Sequence, residues 1–290
     1  MSWKPIVVGV DASPEGAAAA VFAVAVARRA GTTCRLVHAS RHVPHSERYP
    51  YPLIDEQARA PVLAALENRV PATVLDALTV REGAPATALN DVVAELGAEL
   101  VVLGGKHHST LGRWLGGSTS VEVARTTPVS VLVTVGTPVI RRVLVAVDPS
   151  AAAAPTLAAA ERYAALFGAE LRAVSVVEPQ AVVPLVPQPD TTEHYQQWED
   201  TLAHDVWPLI RAPDVETIVR YGAAPDVIQR EAADWHADLL VVGAHGKGWV
   251  TRTVVGSVTE GLINALPTSL LVVPAHAAAF GPEEASPLGA

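Results

Sequence analysis

The chain carries one long pattern twice, and this duplication restricts its possible folds more than any other feature. Residues 99–128 and 238–267 each run from an apolar segment through glycines to a Gly-Ser pair and then a proline. Adding 139 to the positions of Gly104, Gly117, Ser118 and Pro128 gives Gly243, Gly256, Ser257 and Pro267. Solenoid repeats are only about 20 to 50 residues long. The sequence therefore predicts two complete domains of one fold.

The start of each repeat sets the expected domain boundaries. The apolar segments IVVGVDAS at 6–13 and VLVAVDPS at 143–150 open the two halves. We expect one domain over 1–138, a second over 139–275, and a flexible tail over 276–290, where small and polar residues show no periodicity. Since domains commonly contain about 100–150 residues, the chain is long enough to bury two cores.

Short apolar runs alternate with helical stretches in both halves. The expected strands cover 5–10, 34–39, 73–80, 99–104 and 129–135, and then 141–147, 169–177, 215–220, 238–243 and 269–274. Runs of Val, Leu and Ile with little alternation are typical of strands that are covered on both faces. The order predicts the α/β class, with a five-stranded parallel sheet flanked by helices in each half.

Helix signals lie between these runs. Ser13 and Pro14 are a good N-cap and first residue for a helix that ends near Ala30, with Gly31 as its C-cap. Pro155 is incompatible with a helix interior, so the corresponding helix of the second half is expected to begin there. The remaining helices are expected over 54–70, 85–96, 117–127, 191–211, 225–236 and 257–266.

The glycine stretch of the second half has the chemistry of a phosphate site. Gly243, Gly246 and Gly256 follow a G-x2-G-x9-G spacing after a strand, and Ser257 opens a helix. Glycines let backbone N–H groups approach an anion, and a helix start presents unpaired N–H groups and the positive end of its dipole. We interpret this stretch as a nucleotide-binding turn, although isolated glycines would indicate only turns.

The first half departs from this spacing at one position. His107 stands where the second half has Gly246, so the backbone there is less free, unless the ring itself donates to a phosphate. The second half departs elsewhere, because Ala146 occupies the place of Gly9. We expect the second half to hold the better-formed site.

An aspartate ends the first strand of each half. Asp11 and Asp148 lie at the carboxyl ends of their strands, where ligands of doubly wound sheets bind. Each carboxylate is suited to accept hydrogen bonds from a ribose or a base. Each is equally suited to tighten the turn and cap the next helix. The sequence leaves both roles open.

Together, the glycine motifs and strand-end aspartates resemble the ATP-binding branch of the universal stress protein family, over about residues 1–275. The resemblance implies two tandem domains of the flavodoxin-like or adenine-nucleotide α-hydrolase-like fold, paired through 129–135 and 269–274. It implies nucleotide contacts at Gly9, Asp11, Ala39, Gly104, His107, Arg113, Gly117 and Ser118 in the first half, and at Asp148, Val176, Gly243, Gly246, Arg252, Gly256, Ser257 and Val258 in the second.

The same resemblance implies a function. The expected ligand is an adenine nucleotide, ATP with or without Mg²⁺, although ADP and a cyclic nucleotide stay open. The expected role is a nucleotide-dependent regulator of a stress or dormancy response, with little or no turnover, acting as a homodimer on an unknown regulatory protein partner. The alternatives are a slow ATPase or adenylyl-transfer enzyme, with Asp11 or Asp148 holding Mg²⁺, and a nucleotide-free structural stress protein.

Other functions lack the residues they need. No Walker A motif, G-x-G-x-x-G fingerprint or G-x-S-x-G elbow occurs, and no histidine pair has zinc-ligand spacing. A net charge of −9 and a pI of about 5.5 argue against nucleic acid or anionic membranes as partners. A single cysteine, Cys34, fits a reducing compartment. Without a signal peptide or an apolar stretch of about 20 residues, we expect a cytoplasmic protein that does not span a membrane.

Overall fold

The computed structural model describes residues 2–40, 51–105, 118–179, 191–244 and 256–275. In the first half, the strands are β1 (Ile6–Gly9), β2 (Cys34–Ser40), β3 (Thr79–Glu82), β4 (Leu100–Gly104) and β5 (Ser130–Thr134). The helices there are α1 (Pro14–Ala30), α2 (Tyr51–Leu66), α3 (Ala72–Asp76), α4 (Pro85–Leu96) and α5 (Ser118–Thr126).

The second half repeats this order. Its strands are β6 (Arg142–Ala146), β7 (Glu170–Val177), β8 (Glu216–Tyr221), β9 (Leu239–Gly243) and β10 (Ser269–Val273). Its helices are α6 (Ala153–Phe167), α7 (Thr191–Thr201), α8 (Ala224–Asp234) and α9 (Ser257–Ala265). A π-helical turn (Leu202–Val206) and a 3₁₀ turn (Trp207–Leu209) follow α7.

One ten-stranded sheet runs through both halves, in the order β3-β2-β1-β4-β5-β10-β9-β6-β7-β8. The five strands of each half are parallel, and the halves meet through the antiparallel pair β5–β10. Leu132 pairs with Leu271, its counterpart 139 residues later, and the same offset exchanges the two flanking pairs, Val133–Leu270 and Val131–Val272. The join is therefore a pseudo-twofold axis through equivalent residues, and the α/β class and the pairing of the last strands are both confirmed.

Each face of this sheet carries one continuous core. Ile6 and Val8 point to the face that α1 and α6 cover, whereas Val7 points to the face that α4, α5, α8 and α9 cover. Both clusters contain residues of both halves. The sequence suggested two separate cores, but the shared sheet arranges the buried side chains as two layers that cross the join.

Polar contacts also cross the join. Arg162 of α6 forms an ion pair of 2.7 Å with Glu99, and both side chains are largely buried. The Arg162 guanidinium lies 3.5 Å from the centroid of the Trp3 ring. Glu99 also accepts a hydrogen bond from the backbone N–H of Lys4. These contacts fix α6 of the second half to the start of β1 and β4 in the first.

The predicted helix caps and two of the predicted helix boundaries can be compared directly. Ser13 caps α1 by accepting from the Gly16 N–H, and Gly31 ends it with a φ of 65°, as expected. The helix predicted over 54–70 instead ends at Leu66, since Asn68 has a φ of 62° that a helix interior excludes. The helix expected to begin at Pro155 begins two residues earlier, at Ala153. Pro155 is tolerated there because the N–H groups of a first helical turn have no intrahelical acceptor, so the missing N–H of proline costs no hydrogen bond.

Two other predicted elements differ from the structure, one in kind and one in extent. The strand over 73–80 is a short helix, α3, followed by β3, because Val74, Leu75 and Leu78 follow a helical spacing after Pro71. The single helix over 191–211 is an α-helix only to Thr201. Pro208 lacks a backbone donor, and the chain passes through π and 3₁₀ turns around it. The tail over 276–290 lies outside the described residues.

Cys34 opens β2 and is half-buried. Burial raises the pKa of its thiol, which disfavours the reactive thiolate. Among the described residues, no helix is long and apolar enough to cross a membrane.

Candidate functional site

Two cavities lie at the carboxyl ends of the strands, one in each half. The first has a volume of about 360 Å³ and the second about 420 Å³. In each half the strand order reverses at the first strand, since β1 lies between β2 and β4, and β6 lies between β7 and β9. Ligands of open α/β sheets bind at such switch points. Both volumes are within the usual range for small-molecule sites, about 300 to 1,000 Å³.

Three strand ends build the first cavity. Gly9 ends β1 and Asp11 follows it, Ala39 is the penultimate residue of β2, and Gly104 ends β4. Thr119 and Ser120, from the first turn of α5, form the opposite wall. The structure thus brings together four of the five described residues that the sequence proposed for this half, Gly9, Asp11, Ala39 and Gly104. Ser118 begins α5, directly before that wall.

The second cavity has the same plan. Asp148 follows β6, Val176 lies near the end of β7, and Gly243 ends β9. Gly256, Ser257, Val258 and Thr259 supply the wall formed by the start of α9. All six predicted residues of this half that the structure describes line the cavity: Asp148, Val176, Gly243, Gly256, Ser257 and Val258. Ala146, which takes the place of Gly9, lines it as well.

Five predicted site residues lie outside the described residues. They are the central part of each glycine motif and the two arginines: His107, Arg113, Gly117, Gly246 and Arg252. Their roles stay predictions.

The strand-end aspartates tighten the turns that follow them. Asp11 Oδ1 accepts hydrogen bonds from the backbone N–H of Ser13, at 3.1 Å, and from its hydroxyl. Asp148 Oδ1 accepts from the Ser150 hydroxyl at 2.6 Å. One of the two roles left open by the sequence is therefore present. Both carboxylates nevertheless line their cavities, and the second oxygen of Asp11 has no hydrogen-bond partner within the described parts of the chain.

The start of α9 presents unused backbone donors. Its N-cap, Gly256, has an extended backbone (φ −62°, ψ 149°) and no side-chain cap. The Gly256 N–H donates to Ala244 O at 2.9 Å, and the Glu260 N–H donates back to Gly256 O at 2.9 Å. The intervening N–H groups of Ser257, Val258 and Thr259 have no intrahelical acceptor, which is the arrangement that favours an anion.

The glycines of the first cavity are required by close packing. A Cβ on Gly104 would lie 2.5 Å from the backbone carbonyl carbon of Glu15 in α1. A Cβ on Gly9 would lie 2.6 Å from the Leu103 side chain. In the second half Ala146 takes the place of Gly9, and Val242, which is smaller, takes the place of Leu103. The difference between Gly9 and Ala146 is therefore matched by a change in the packing partner.

The sequence did not point to three residues of the second cavity. Glu178 lines it and accepts a hydrogen bond from the Ala224 N–H at 3.0 Å, which caps α8. His194 and Trp198 reach it from α7, and the Trp198 indole N–H donates to Ser175 Oγ at 3.1 Å. Glu178 was detectable, because it lies two residues after Val176, on the same side of an extended segment. The two α7 residues required the tertiary structure.

No group of three or more His, Cys, Asp or Glu in the described segments is arranged to hold a metal ion. The fold and the paired cavities define a tandem α/β protein with one switch-point site in each half.

Comparisons with known proteins identify the family. The sequence profile of the universal stress protein family matches residues 2–134 and 140–274. A universal stress protein of Mycobacterium tuberculosis is 30% identical over 289 residues, which cover 92% of this chain and 96% of that protein. A universal stress protein of Mycobacterium bovis matches with the same identity and coverage. The chain belongs to the universal stress protein family, with two of its domains in tandem.

A solved structure from another organism agrees on the fold. The crystal structure of a universal stress protein from Archaeoglobus fulgidus is 18% identical, covers 93% of this chain and 96% of its own, and has a TM-score of 0.64. A universal stress protein crystallised in complex with cAMP is 25% identical and covers 47% of this chain, with a TM-score of 0.33. The binding of cAMP is a property of that protein.

Proposed function

We propose that each half of this protein binds an adenine nucleotide, with ATP as the principal ligand, and that occupancy regulates the protein's association with a partner in the cytoplasm. One observation carries the proposal. In each half an uncapped or site-facing helix start and a strand-end carboxylate face each other across a cavity of nucleotide size.

The strand order gives the nucleotide a direction. In the second half, β9 and the start of α9 provide the anion-binding end, with Gly243, Gly256 and Ser257. The apolar end is at β7, where Val174, Val176, Ile228 and Trp198 lie. Because β6 lies between β9 and β7, the two ends are two strand spacings apart, roughly 9–10 Å. This separation suits phosphates at one end and a base at the other.

Asp148 ends the middle strand, between these two ends. A carboxylate at this position accepts hydrogen bonds from ribose hydroxyls, while its other contact, to Ser150, fixes its orientation. The first half repeats the arrangement with Gly104 on β4, Asp11 on β1 and Ala39 on β2. Any Mg²⁺ would bind together with the nucleotide, through its phosphates. In the undescribed motif segments, Gly246, Arg113 and Arg252 are proposed as further phosphate contacts.

Base recognition differs between the halves. In the second cavity Trp198 lines the base end, and stacking of a base on an aromatic side chain is worth about 1–3 kcal/mol. The Glu178 carboxylate at the same end can accept a hydrogen bond only, so it favours a base that carries an amino group. Adenine meets this requirement. The negative charge of Glu178 also keeps phosphates at the α9 end.

The stoichiometry of bound nucleotide tests the proposal. Acid extraction of the purified protein, followed by chromatography, is expected to release close to two adenine nucleotides per chain. Gly256→Val is expected to reduce this to one, because its side chain enters the second cavity at the phosphate end. Gly261→Ala is the matched control, since a Cβ on Gly261 of the same helix meets only an ordinary contact of 3.6 Å with Pro225.

If no nucleotide is released and ATP with Mg²⁺ does not raise the thermal midpoint, the proposal is wrong and the structural-protein alternative stands. Phosphate release from ATP by the wild-type protein, abolished in Gly256→Val, would instead support the slow-ATPase alternative. We expect release at the background level.

A further inference from the structure

Helix α9 reaches both cavities. Its first turn, Gly256 to Thr259, forms the phosphate end of the second cavity. Ile263, one turn further on, and Leu266, its C-cap, line the first cavity, which otherwise belongs to the first half. The first site is therefore built from both halves. A nine-residue helix is a stiff rod of about 13 Å, so its two ends move together.

The N-terminal end of α9 is tied to the second site. The Thr259 hydroxyl donates to Gly243 O at 2.8 Å, and the Gly256 N–H donates to Ala244 O at 2.9 Å. Both acceptors lie at the end of β9, next to the proposed phosphate position. An anion that engages the free N–H groups adds a further restraint at this end of the helix.

The C-terminal end of α9 is packed tightly against the first site. Leu266 is 1% exposed, and its side chain lies so close to Gly105 that a Cβ there would overlap Leu266 Cδ2 and lie 2.8 Å from Val133 Cγ1. Gly105 directly follows Gly104 at the end of β4 and is held by a bond from its N–H to Thr134 O at 2.9 Å. Since packed interiors have little free space, a displacement of α9 changes the wall of the first cavity.

The opposite connection is missing within the described part of the chain. By the pseudo-twofold relation, Ala124 and Thr127 of the α5 region correspond to Ile263 and Leu266. Neither lines the second cavity, and no described residue of the first half does. The shorter side chains do not reach it, and Ala244 stands where the first half has Gly105. Only one helix among those described thus contacts both sites.

We propose that α9 couples the two sites, so that nucleotide in the second cavity strengthens nucleotide binding in the first. The proposal rests on the nucleotide binding proposed above and specifies its regulation. The first ligand fixes the position of α9. The second ligand then binds to a cavity whose α9 wall is already fixed, so it does not bear the entropic cost of fixing the helix, and this produces positive cooperativity. The coupling is reciprocal at equilibrium. We expect a factor of about five or more.

The test measures ATP binding by equilibrium dialysis in full-length variants. Val176→Trp fills the base end of the second cavity, the end farthest from α9, and Ala39→Trp fills the equivalent end of the first. Each variant reports the affinity of the site left open. Cooperativity requires the product of the two wild-type stepwise association constants to exceed the product of these two affinities by the coupling factor. Circular dichroism and thermal unfolding establish that both variants fold.

Leu266→Ala separates coupling from simple loss of a contact. Repeating the three measurements in the Leu266→Ala background is expected to reduce the coupling factor to about one. Leu89→Ala is the matched control, because Leu89 is a buried leucine in the wall of the same cavity but belongs to α4. This control is expected to weaken first-site binding and to leave the coupling factor unchanged.

The outcomes distinguish the two proposals. Two sites that bind independently in the wild type would overturn the coupling and leave nucleotide binding intact. No binding at either site would overturn both. If only one of the two sites binds ATP, the coupling is overturned, because it requires a ligand in each site, while nucleotide binding stands for the site that remains.

Discussion

The two halves share a backbone plan but fill their sites with different pairs of side chains. The first cavity combines Gly9 with Leu103, whereas the second combines Ala146 with Val242. The second also has an aromatic wall from Trp198, where no described aromatic residue lines the first except His38. The strand register and the helix starts are thus common to both halves. Within each cavity, a larger side chain at one position is accompanied by a smaller one at the neighbouring position. The comparison teaches that divergence of the two sites occurs in compensating pairs.

A glycine present in both halves should tolerate no side chain. Gly104 corresponds to Gly243, and Gly104→Ala forces a Cβ against the backbone of Glu15, which cannot rotate away. We expect a loss of about 3 kcal/mol in the free energy of unfolding, measured by urea denaturation. In Gly261→Ala the same change should be neutral or stabilising, since alanine is the better helix former. A loss below about 1 kcal/mol for Gly104→Ala would show that α1 can move.

The aromatic wall should distinguish the two sites in binding. Trp198→Leu keeps an apolar side chain but removes the stacking face, so second-site affinity for ATP is expected to fall about tenfold. The intrinsic affinity of the first site, with the second site empty, should not change. Trp207→Leu is the control, because Trp207 packs against the same core from the following turn and does not line the cavity. Equal losses at both sites would contradict the stacking role. Isothermal titration calorimetry measures both affinities.

The exchanged pair can be transplanted from one half to the other. Gly9→Ala is expected to cost about 1 to 2 kcal/mol, because the new Cβ meets the Leu103 side chain. Adding Leu103→Val should recover about 1 kcal/mol of this, since it reproduces the combination of the second half. A double-mutant cycle in urea gives the interaction energy. Strictly additive losses would mean that the two positions did not compensate each other.

The smallest effect on stability is expected at a position where the second half has a tyrosine and the first half a valine. Tyr163 corresponds to Val26, and its hydroxyl is buried without a hydrogen-bond partner in the described structure. Tyr163→Phe should stabilise the fold by about 1 kcal/mol. Burial also raises the pKa of the Tyr163 phenol. The stability of the wild type should therefore fall as the pH rises above about 10, the ordinary tyrosine pKa, and fall less in the variant.

Thermal unfolding between pH 8 and pH 11 measures this last difference. Tyr221 is the natural comparison, because its hydrogen bond to Glu199 also raises its pKa, but the side chain is exposed. Tyr221→Phe should leave the alkaline decline almost unchanged. Parallel curves for the wild type and Tyr163→Phe would refute the assignment.

Much of this architecture could be predicted because the signals are local or repeated. The cap at Ser13 and the C-cap at Gly31 act within a few residues, and the pairing partners Leu132 and Leu271 are marked by the repeat itself. The strand over 73–80 was mistaken because Val74 and Leu75 are apolar in either conformation. The start of β3 is decided only by its pairing with β2, and the first residue of β3 that pairs is Thr79.

The candidate sites were predictable where strand ends and helix starts define them, as with Asp148, Gly243 and Ser257. The walls were not. Trp198 reaches the second cavity from a helix separated from β7 by residues 178–190, and Leu266 reaches the first cavity from the other half. Such contacts depend on how elements pack, which spacing along the chain does not record. Roles at His107, Gly246 and the two arginines stay predictions from sequence.

The antiparallel pair β5–β10 is formed within one polypeptide. Two separate chains joined at such a seam would part on dilution, whereas the linker between Thr134 and Arg142 keeps the two edges at a high effective concentration. The proposed response of the protein to nucleotide should then be insensitive to the protein concentration. The linkage also removes a constraint on mutation. In a homodimer every substitution is made twice across the seam, but here a change in one half meets the original residue in the other. The two halves of one polypeptide can thus diverge independently of each other.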